Sequence, residues 1–336
     1  MKNTLSELEG LSSARATELI NQFCQKRILV IGDIMIDRYV IGKVERINPE
    51  APVPILHAKD EYRATGGAGN TAKNATALGA TAKLISVVGN DRTGEELESA
   101  VLSEGYQAVL IKDPSRSTVE KKRFMVGGQQ MLRVDYEETH DISTEIEEAV
   151  VAAIHKDADS VDAIIVSDYS KGLLTPRVAE AIIAAARTHN IPVMADVKPT
   201  HIGLFKGVSY ISPNLKEAHE YLGLNQLLQG GTPKAELAAQ LKARFQTNVF
   251  LTLSENGIYI QTDKTDGAHI PQIHRVEVAD TSGCGDTAAV AIVLAKLSGA
   301  NDVEVAHIAN GAGAVIASKI GAVALTQEEL LKIFLN

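Results

Sequence analysis

The chain contains no tryptophan, only two cysteines and few aromatic residues of any kind, 4% of its 336 positions. Cys24 and Cys284 lie far apart and match no metal-ligand spacing. A disulfide framework and a cysteine-built zinc site are therefore not expected, and two isolated thiols suit a reducing compartment. Surplus positive charge is absent too: 33 Lys and Arg against 42 Asp and Glu give a formal net charge of -9. That balance argues against a general affinity for nucleic acid or anionic membrane, yet it allows a small anionic substrate held by a local cationic cluster. No apolar run is long enough to span a bilayer, and the N-terminal MKNTLSELEGLSSARATELINQFCQKR has no signal-peptide core. This stretch reads as an amphipathic helix laid on the domain, and the chain as a cytoplasmic protein. No CxxC, HExxH or EF-hand spacing occurs, so no protein-only metal site is expected; Mg²⁺ arriving with a nucleotide is the plausible case.

What the chain does have is 45% hydrophobic residues, arranged in short apolar runs that alternate with segments of helical period. Strands are predicted at 27–36 (RILVIGDIMI), 82–89, 107–111, 162–169, 191–197, 208–212, 248–254 and 257–262. Helical segments fall between them, among them GNTAKNATALGA, GEELESAVLSEG, RVAEAIIAAARTHN and KAELAAQLKARF. This alternation predicts an α/β fold, a mostly parallel sheet with helices on both faces. Residues 38–58 and 117–136 break the rhythm with strand-like runs that no helix separates. They are expected to form a small separate sheet within a single domain spanning 1–336, acting as a lid or an oligomer contact. Long excursions in compact domains are more often functional than idle.

Four stretches carry candidate chemistry. In DTSGCGDT (280–287) a glycine turn opens a helix, offering free backbone N–H groups and the positive end of the helix dipole to an anion. Asp286 in the first turn could take a proton from an attacking hydroxyl, or simply cap the helix. Cys284 could be a nucleophile, since a helix N-terminus lowers a thiol's pKa, although no signature supplies its histidine. The stretch GGAGNTA (66–72) contains Gly67-x-Gly69-x-x-Ala72, a variant of the dinucleotide fingerprint, with Asp91 some 20 residues on. An NAD-dependent oxidoreductase is thus one reading, weakened because the glycines do not follow the first strand directly. The other is that the glycines let the backbone approach a polyol whose hydroxyls bond Asn70. In GDIMID (32–37), Asp33 and Asp37 sit at the carboxyl end of the first strand, where open α/β sheets bind ligands. In SPNLKE, Asn214 and Glu217 share one face of a helix's first turn, as a capping box or as holders of Mg²⁺-bound water and phosphate.

Taken together, GGAGNTAKNATALGA, the Asn214–Glu217 motif and DTSGCGDT resemble, in order and spacing, the ribokinase/PfkB family of carbohydrate kinases. The resemblance runs from about residue 27 to the end of the chain, with Cys284 where that family usually has Ala. The strings GDIMIDRYVIGKVERINPEAPVPIL, QQMLRVDYEE, SDYSKGLL, ADVKP and ISPNLKEA are similar to those of the bacterial kinases of D-glycero-β-D-manno-heptose 7-phosphate. The resemblance implies a ribokinase-like fold and ATP- and Mg²⁺-dependent phosphorylation of that sugar phosphate at its anomeric hydroxyl, giving the 1,7-bisphosphate. A kinase for another sugar or sugar phosphate is the nearer alternative. It also implies roles: Asp286 as base, and Gly283, Cys284 and Gly285 as backbone donors to the moving phosphate. Asn214, Leu215, Lys216 and Glu217, with Ser254, Glu255, Gly257 and Asn310, would serve the nucleotide. Asp33, Asp37, Gly67 and Asn70 would hold the sugar. For the substrate's own phosphate the candidates are Arg46, Lys121, Lys122, Arg123, Arg133 and Lys198. The family's lids often form dimer contacts, so a homodimer is expected. No H-x-G-H motif occurs, so the adenylyltransferase activity fused to many such kinases is expected to be absent.

Overall fold

The computed structural model describes residues 11–224, 232–272, 276–319, 321 and 323–335. In chain order the strands are β1 (Arg27–Gly32), β2 (Ile34–Ile47), β3 (Pro54–Gly67), β4 (Thr81–Gly89) and β5 (Gln107–Asp113). There follow β6 (Glu120–Val126), β7 (Gln129–Tyr136), β8 (Ala163–Ser167), β9 (Val193–Asp196) and β10 (Tyr210–Ile211). The last are β11 (Asn248–Thr252), β12 (Ile258–Gln261) and β13 (Ala268–Ile270). Helices α1 (Ser13–Asn21), α2 (Ala68–Ala77), α3 (Arg92–Ser103), α4 (Thr144–Asp157) and α5 (Pro176–His189) fill the first half. Helices α6 (Leu215–Leu222), α7 (Lys234–Phe245), α8 (Cys284–Leu297), α9 (Asp302–Ala317) and α10 (Gln327–Leu335) fill the second.

Nine strands form one sheet in the order β13-β12-β11-β10-β9-β8-β1-β4-β5. Its pairs are parallel from β11 through to β5, and β12 and β13 add antiparallel at one edge. In β1 every residue after Arg27 is buried, and alternate side chains enter opposite cores. Ile28 and Val30 pack with α2, α8 and α9; Leu29 and Ile31 pack with α4, α5 and α7. A strand covered on both faces must be apolar throughout, which is why it reads as a continuous run. The amphipathic N-terminal helix is present over Ser13–Asn21, capped by the Ser12 side chain and buried through Ala16, Leu19 and Ile20.

Four strands make a second sheet in the order β3-β2-β6-β7. It is larger than the sequence suggests. The predicted strand 27–36 breaks at Asp33: β1 stays in the large sheet, and the chain then enters β2 of the small one. The charged DEYRAT (60–65), which precedes the glycines and lies outside every predicted strand, belongs to β3, paired antiparallel with β2 from Pro54 through Gly67. As an edge strand β3 exposes residues 58–63, and charge at an edge discourages pairing with other chains. The small sheet leaves Ile41, Ile47, Met131, Leu132 and Tyr136 exposed. The short edge strand β13 was not foreseen; three residues carry too little pattern to be legible.

Candidate active site

Because β1, β8 and β9 are neighbours, their carboxyl ends bring together segments far apart in sequence: Asp33, Asp168-Tyr169 and Asp196-Val197-Lys198. The first turns of α2 and α8 complete the site. Asp286 is 4% exposed, and its carboxylate accepts three side-chain donors. Asn70 Nδ2 lies 2.8 Å from Oδ2, Thr71 Oγ1 3.1 Å from Oδ1, and the Tyr169 hydroxyl 3.0 and 3.2 Å from the two oxygens. Burial raises its pKa, against the pull of those three donors. It does not cap α8: the N-cap is Gly283, with no side-chain cap bond. Gly283 has φ +77°, and a Cβ there would stand 2.7 Å from Asn70 Nδ2, so glycine both makes the turn and admits the asparagine. The Cys284 N–H turns back to the Thr281 carbonyl at 3.3 Å. Its thiol is half-buried and pushed up to about 11 by burial and by the charges of Asp280 and Asp286. The lowered pKa expected of a thiol at a helix N-terminus is therefore overridden, and with it the case for Cys284 as a nucleophile.

Asp33 is 5% exposed at the junction of the two sheets. Its Oδ2 accepts the backbone N–H groups of Tyr169 at 2.9 Å and Lys171 at 3.1 Å. Burial, with the neighbouring charge of Asp168, pushes its pKa up to about 6 although backbone donors pull it down. Gly67 closes the approach: at φ +59° its N-terminal neighbours run in β3, and a Cβ would lie 2.3 Å from the Asp33 carbonyl oxygen. Asp37 is buried and paired with Arg123, whose guanidinium also sits 5.3 Å from the Tyr39 ring centre. Asp33, Gly67, Asn70 and Asp286 thus meet around Tyr169, and the Asp37–Arg123 pair lies against Gly66 beside them.

The other predicted residues fall into three groups. Asn214 and Glu217 form a full capping box of α6: Asn214 Oδ1 accepts the Glu217 N–H at 3.0 Å, and Glu217 Oε2 accepts the Asn214 N–H at 3.1 Å. The second Glu217 oxygen takes Lys198 Nζ at 3.3 Å, and that ammonium lies 5.5 Å from the Tyr169 ring centre. Lys198 therefore belongs to the site, whereas Leu215 and Lys216 are exposed and Lys216 pairs with Glu220 at 3.8 Å. Ser254 and Glu255 occupy a short helical turn that Gly257 ends, and Asn310 donates to the Ile270 and Pro271 carbonyls at 3.2 and 3.3 Å. Among the lid cations, Lys121 is paired with Asp135 and Glu137, and Arg133 with Asp135. Lys122 stacks 6.0 Å from the Phe124 ring centre, and Arg46 is exposed near the far end of β2. Only Arg123 among them touches a predicted sugar-site acid.

Three positions of the candidate site were not singled out from the sequence. Tyr169 and Thr71 bond Asp286, and Asp196 ends β9 half-buried, with no hydrogen bond to its carboxylate among the described residues. Burial, then the charges of Asp286 and Glu217, push the Asp196 pKa up to about 7. The strings SDYSKGLL and ADVKP held the signal, since both follow strands whose carboxyl ends face a ligand crevice. Among the described residues no group of three or more His, Cys, Asp or Glu side chains is placed to hold a metal ion, and no helix is long and apolar enough to cross a membrane.

Among curated proteins, the bifunctional protein HldE of Caulobacter vibrioides is 39% identical over 92% of this chain and 63% of its own length. That of Geotalea uraniireducens is 38% identical over 97% of this chain and 64% of its own. The chain thus spans a little under two thirds of the curated relatives it matches. Among solved structures, a ribokinase-like protein of Agrobacterium tumefaciens superposes with TM-score 0.75 at 20% identity, over 92% of this chain and 97% of that one. Phosphofructokinase-2 of Escherichia coli gives 0.74 at 16%, over 92% and 98%, and at such identities these two speak for the fold alone. The model of the pfkB family of carbohydrate kinases matches residues 25–329, and the chain belongs to that family of sugar kinases.

Proposed function

We propose that this chain transfers the γ-phosphoryl group of ATP to the anomeric hydroxyl of D-glycero-D-manno-heptose 7-phosphate, giving the 1,7-bisphosphate that feeds ADP-heptose and lipopolysaccharide core synthesis in the cytoplasm. The observation that carries the reaction type is Asp286: a buried carboxylate at the mouth of a glycine turn, held by partners from outside its own helix. It takes the proton of the acceptor hydroxyl, whose oxygen bonds the γ-phosphorus as the bond to ADP breaks. The backbone N–H groups at the N-terminus of α8, those of Gly283 and Gly285 and that of Cys284 on leaving the Thr281 carbonyl, would steady the charge on the moving group. Asp33, Asp37 and Asn70 would take sugar hydroxyls beside Gly67. Arg123 would meet the substrate's phosphate as a planar fork, with Lys198, Lys121 and Arg133 as further candidate cations and Arg46 farther off along β2.

Asn214, Glu217 and the turn at Ser254–Gly257, with Asn310 behind it, would border the nucleotide. The donor set fits a divalent ion brought by ATP: Asp196, without a hydrogen-bond partner among the described residues, stands under the charge of Glu217 and Asp286. When bound, Mg²⁺ would neutralise phosphate charge there. The heptose assignment is supported by relatives named HldE at up to 39% identity. Phosphorus NMR of the product from a panel of sugars and sugar phosphates tests it: the heptose 7-phosphate should be turned over fastest, with a new anomeric phosphate signal. Preference for fructose, ribose or a hexose phosphate would replace the substrate and leave the kinase. Exposed Ile41, Ile47, Leu132 and Tyr136 support a homodimer through the small sheet, which light scattering checks by a mass near twice 35.9 kDa.

A further inference from the structure

The kinase reading leaves Tyr169 without a task, although its hydroxyl touches both oxygens of the base. A carboxylate offers about four lone-pair directions; at Asp286 three donors meet them, Asn70, Thr71 and the Tyr169 hydroxyl, whose single proton is shared between the two oxygens. A base takes a proton only from a hydroxyl within hydrogen-bond reach. With Asp286 only 4% exposed and the Tyr169 hydroxyl lying across both of its oxygens, the acceptor reaches the base where one of these donors gives way.

Asn70 and Thr71 are 2% and 1% exposed. Each is bonded further: Thr71 Oγ1 lies 3.2 Å from Ser167 Oγ, and Asn70 Oδ1 accepts Asn74 Nδ2 at 3.2 Å. Tyr169 is partly exposed, and among the described residues its hydroxyl bonds Asp286 alone. Its backbone is fixed. The amide donates to Asp33, the next residue Ser170 is held at φ +55° by its N–H on Asp168 at 2.7 Å, and Asp168 is held by the Lys198 N–H and His201. Only the side chain of Tyr169 is placed to yield, by rotating away from the base.

We propose that Tyr169 is a stand-in for the acceptor: in the sugar-free enzyme its phenol occupies the face of Asp286 that the sugar hydroxyl takes, and so denies the base to water. The inference rests on Asp286 being the base. Water satisfies the same balance as the sugar: its proton passes to Asp286, its oxygen bonds the γ-phosphorus, and the bond to ADP breaks. A sugar gripped by several of its hydroxyls can displace a charge-assisted phenol bond; a single water has no such grip to offset it.

The test is phosphate release from ATP and Mg²⁺ by the full chain, without sugar and with heptose 7-phosphate. Tyr169→Phe, which keeps the ring and its contact with Lys198, should raise the ratio of sugar-free hydrolysis to sugar phosphorylation about tenfold, the scale of one charge-assisted hydrogen bond. Thr71→Val removes a donor from the buried side and should lower both activities with no rise in the ratio. A ratio unchanged in Tyr169→Phe, or raised equally in Thr71→Val, overturns the inference. Asp286→Asn separates this from the underlying reading. Loss of sugar phosphorylation there, with no rise in the Tyr169→Phe ratio, sinks the stand-in role alone; retained turnover sinks the base assignment and the stand-in with it.

Discussion

Helices α6 and α8 each carry an acid three residues past the N-cap, and the two acids do opposite things. Glu217 bends back onto the Asn214 N–H and completes a reciprocal capping box. Asp286 has a glycine for an N-cap and no cap bond; its partners are Asn70, Thr71 and Tyr169, more than a hundred residues away. The same residue class at the same helical position is local in one case and tertiary in the other. What separates them is the reciprocal box: the longer Glu217 reaches back to the Asn214 backbone N–H while Asn214 Oδ1 accepts the Glu217 N–H, and Gly283 has no side chain with which to complete such a box.

The sharpest way to break that comparison is to neutralise each acid. Asp286→Asn should lower kcat by roughly 10²–10⁴-fold, with ATP binding by calorimetry largely kept; near-normal kcat would make it a spectator. Glu217→Gln keeps a capping group at the same position but removes the charge beside Lys198. Turnover should fall about tenfold with a higher Mg²⁺ requirement, and the cost in stability should stay within about 0.5 kcal/mol. A large loss of stability with an unaltered Mg²⁺ dependence would confine Glu217 to the cap.

Asp196 extends the contrast to pH. Its folded-state pKa of about 7 stands above the ordinary carboxylate value, so the folded state binds more protons and ionising it costs stability as pH rises from about 4 to 7. Asp196→Asn should therefore raise Tm at pH 8 by about 2 °C while lowering activity, and the gain should vanish at pH 4. A Tm difference independent of pH would remove the charge argument. The smallest effect belongs to Cys284→Ala, with turnover within about threefold of the parent because only the backbone of this residue is assigned a role. With its thiol pushed up to about 11, alkylation near neutral pH should be slow, in contrast to an activated thiol; rapid inactivation by iodoacetamide, blocked by ATP and Mg²⁺, would contradict this.

Much of the fold could be read from alternation and period, because parallel strands covered on both faces are continuously apolar and their helices are not. The break at Asp33 was hidden because apolar residues continue on both sides of it, serving two different sheets. Strand β3 was hidden for the opposite reason: an exposed edge permits DEYRAT to be charged. In the site, Asp286, Asn70 and Asp33 stood out beside glycine turns, which mark close backbone approach. Tyr169 and Asp196 did not, since nothing local distinguishes them. Their importance comes from the strand order that sets β8 and β9 beside β1, a property of the fold rather than of any short segment.

The most direct test of Asp286 as a base rather than a cap is the Tm of Asp286→Asn measured beside its turnover at pH 7.5. Burial raises the pKa of this carboxylate, so neutralising it removes a cost; the account expects Tm equal to or above that of the parent, with turnover lost. A Tm lowered by several degrees with turnover retained would contradict it.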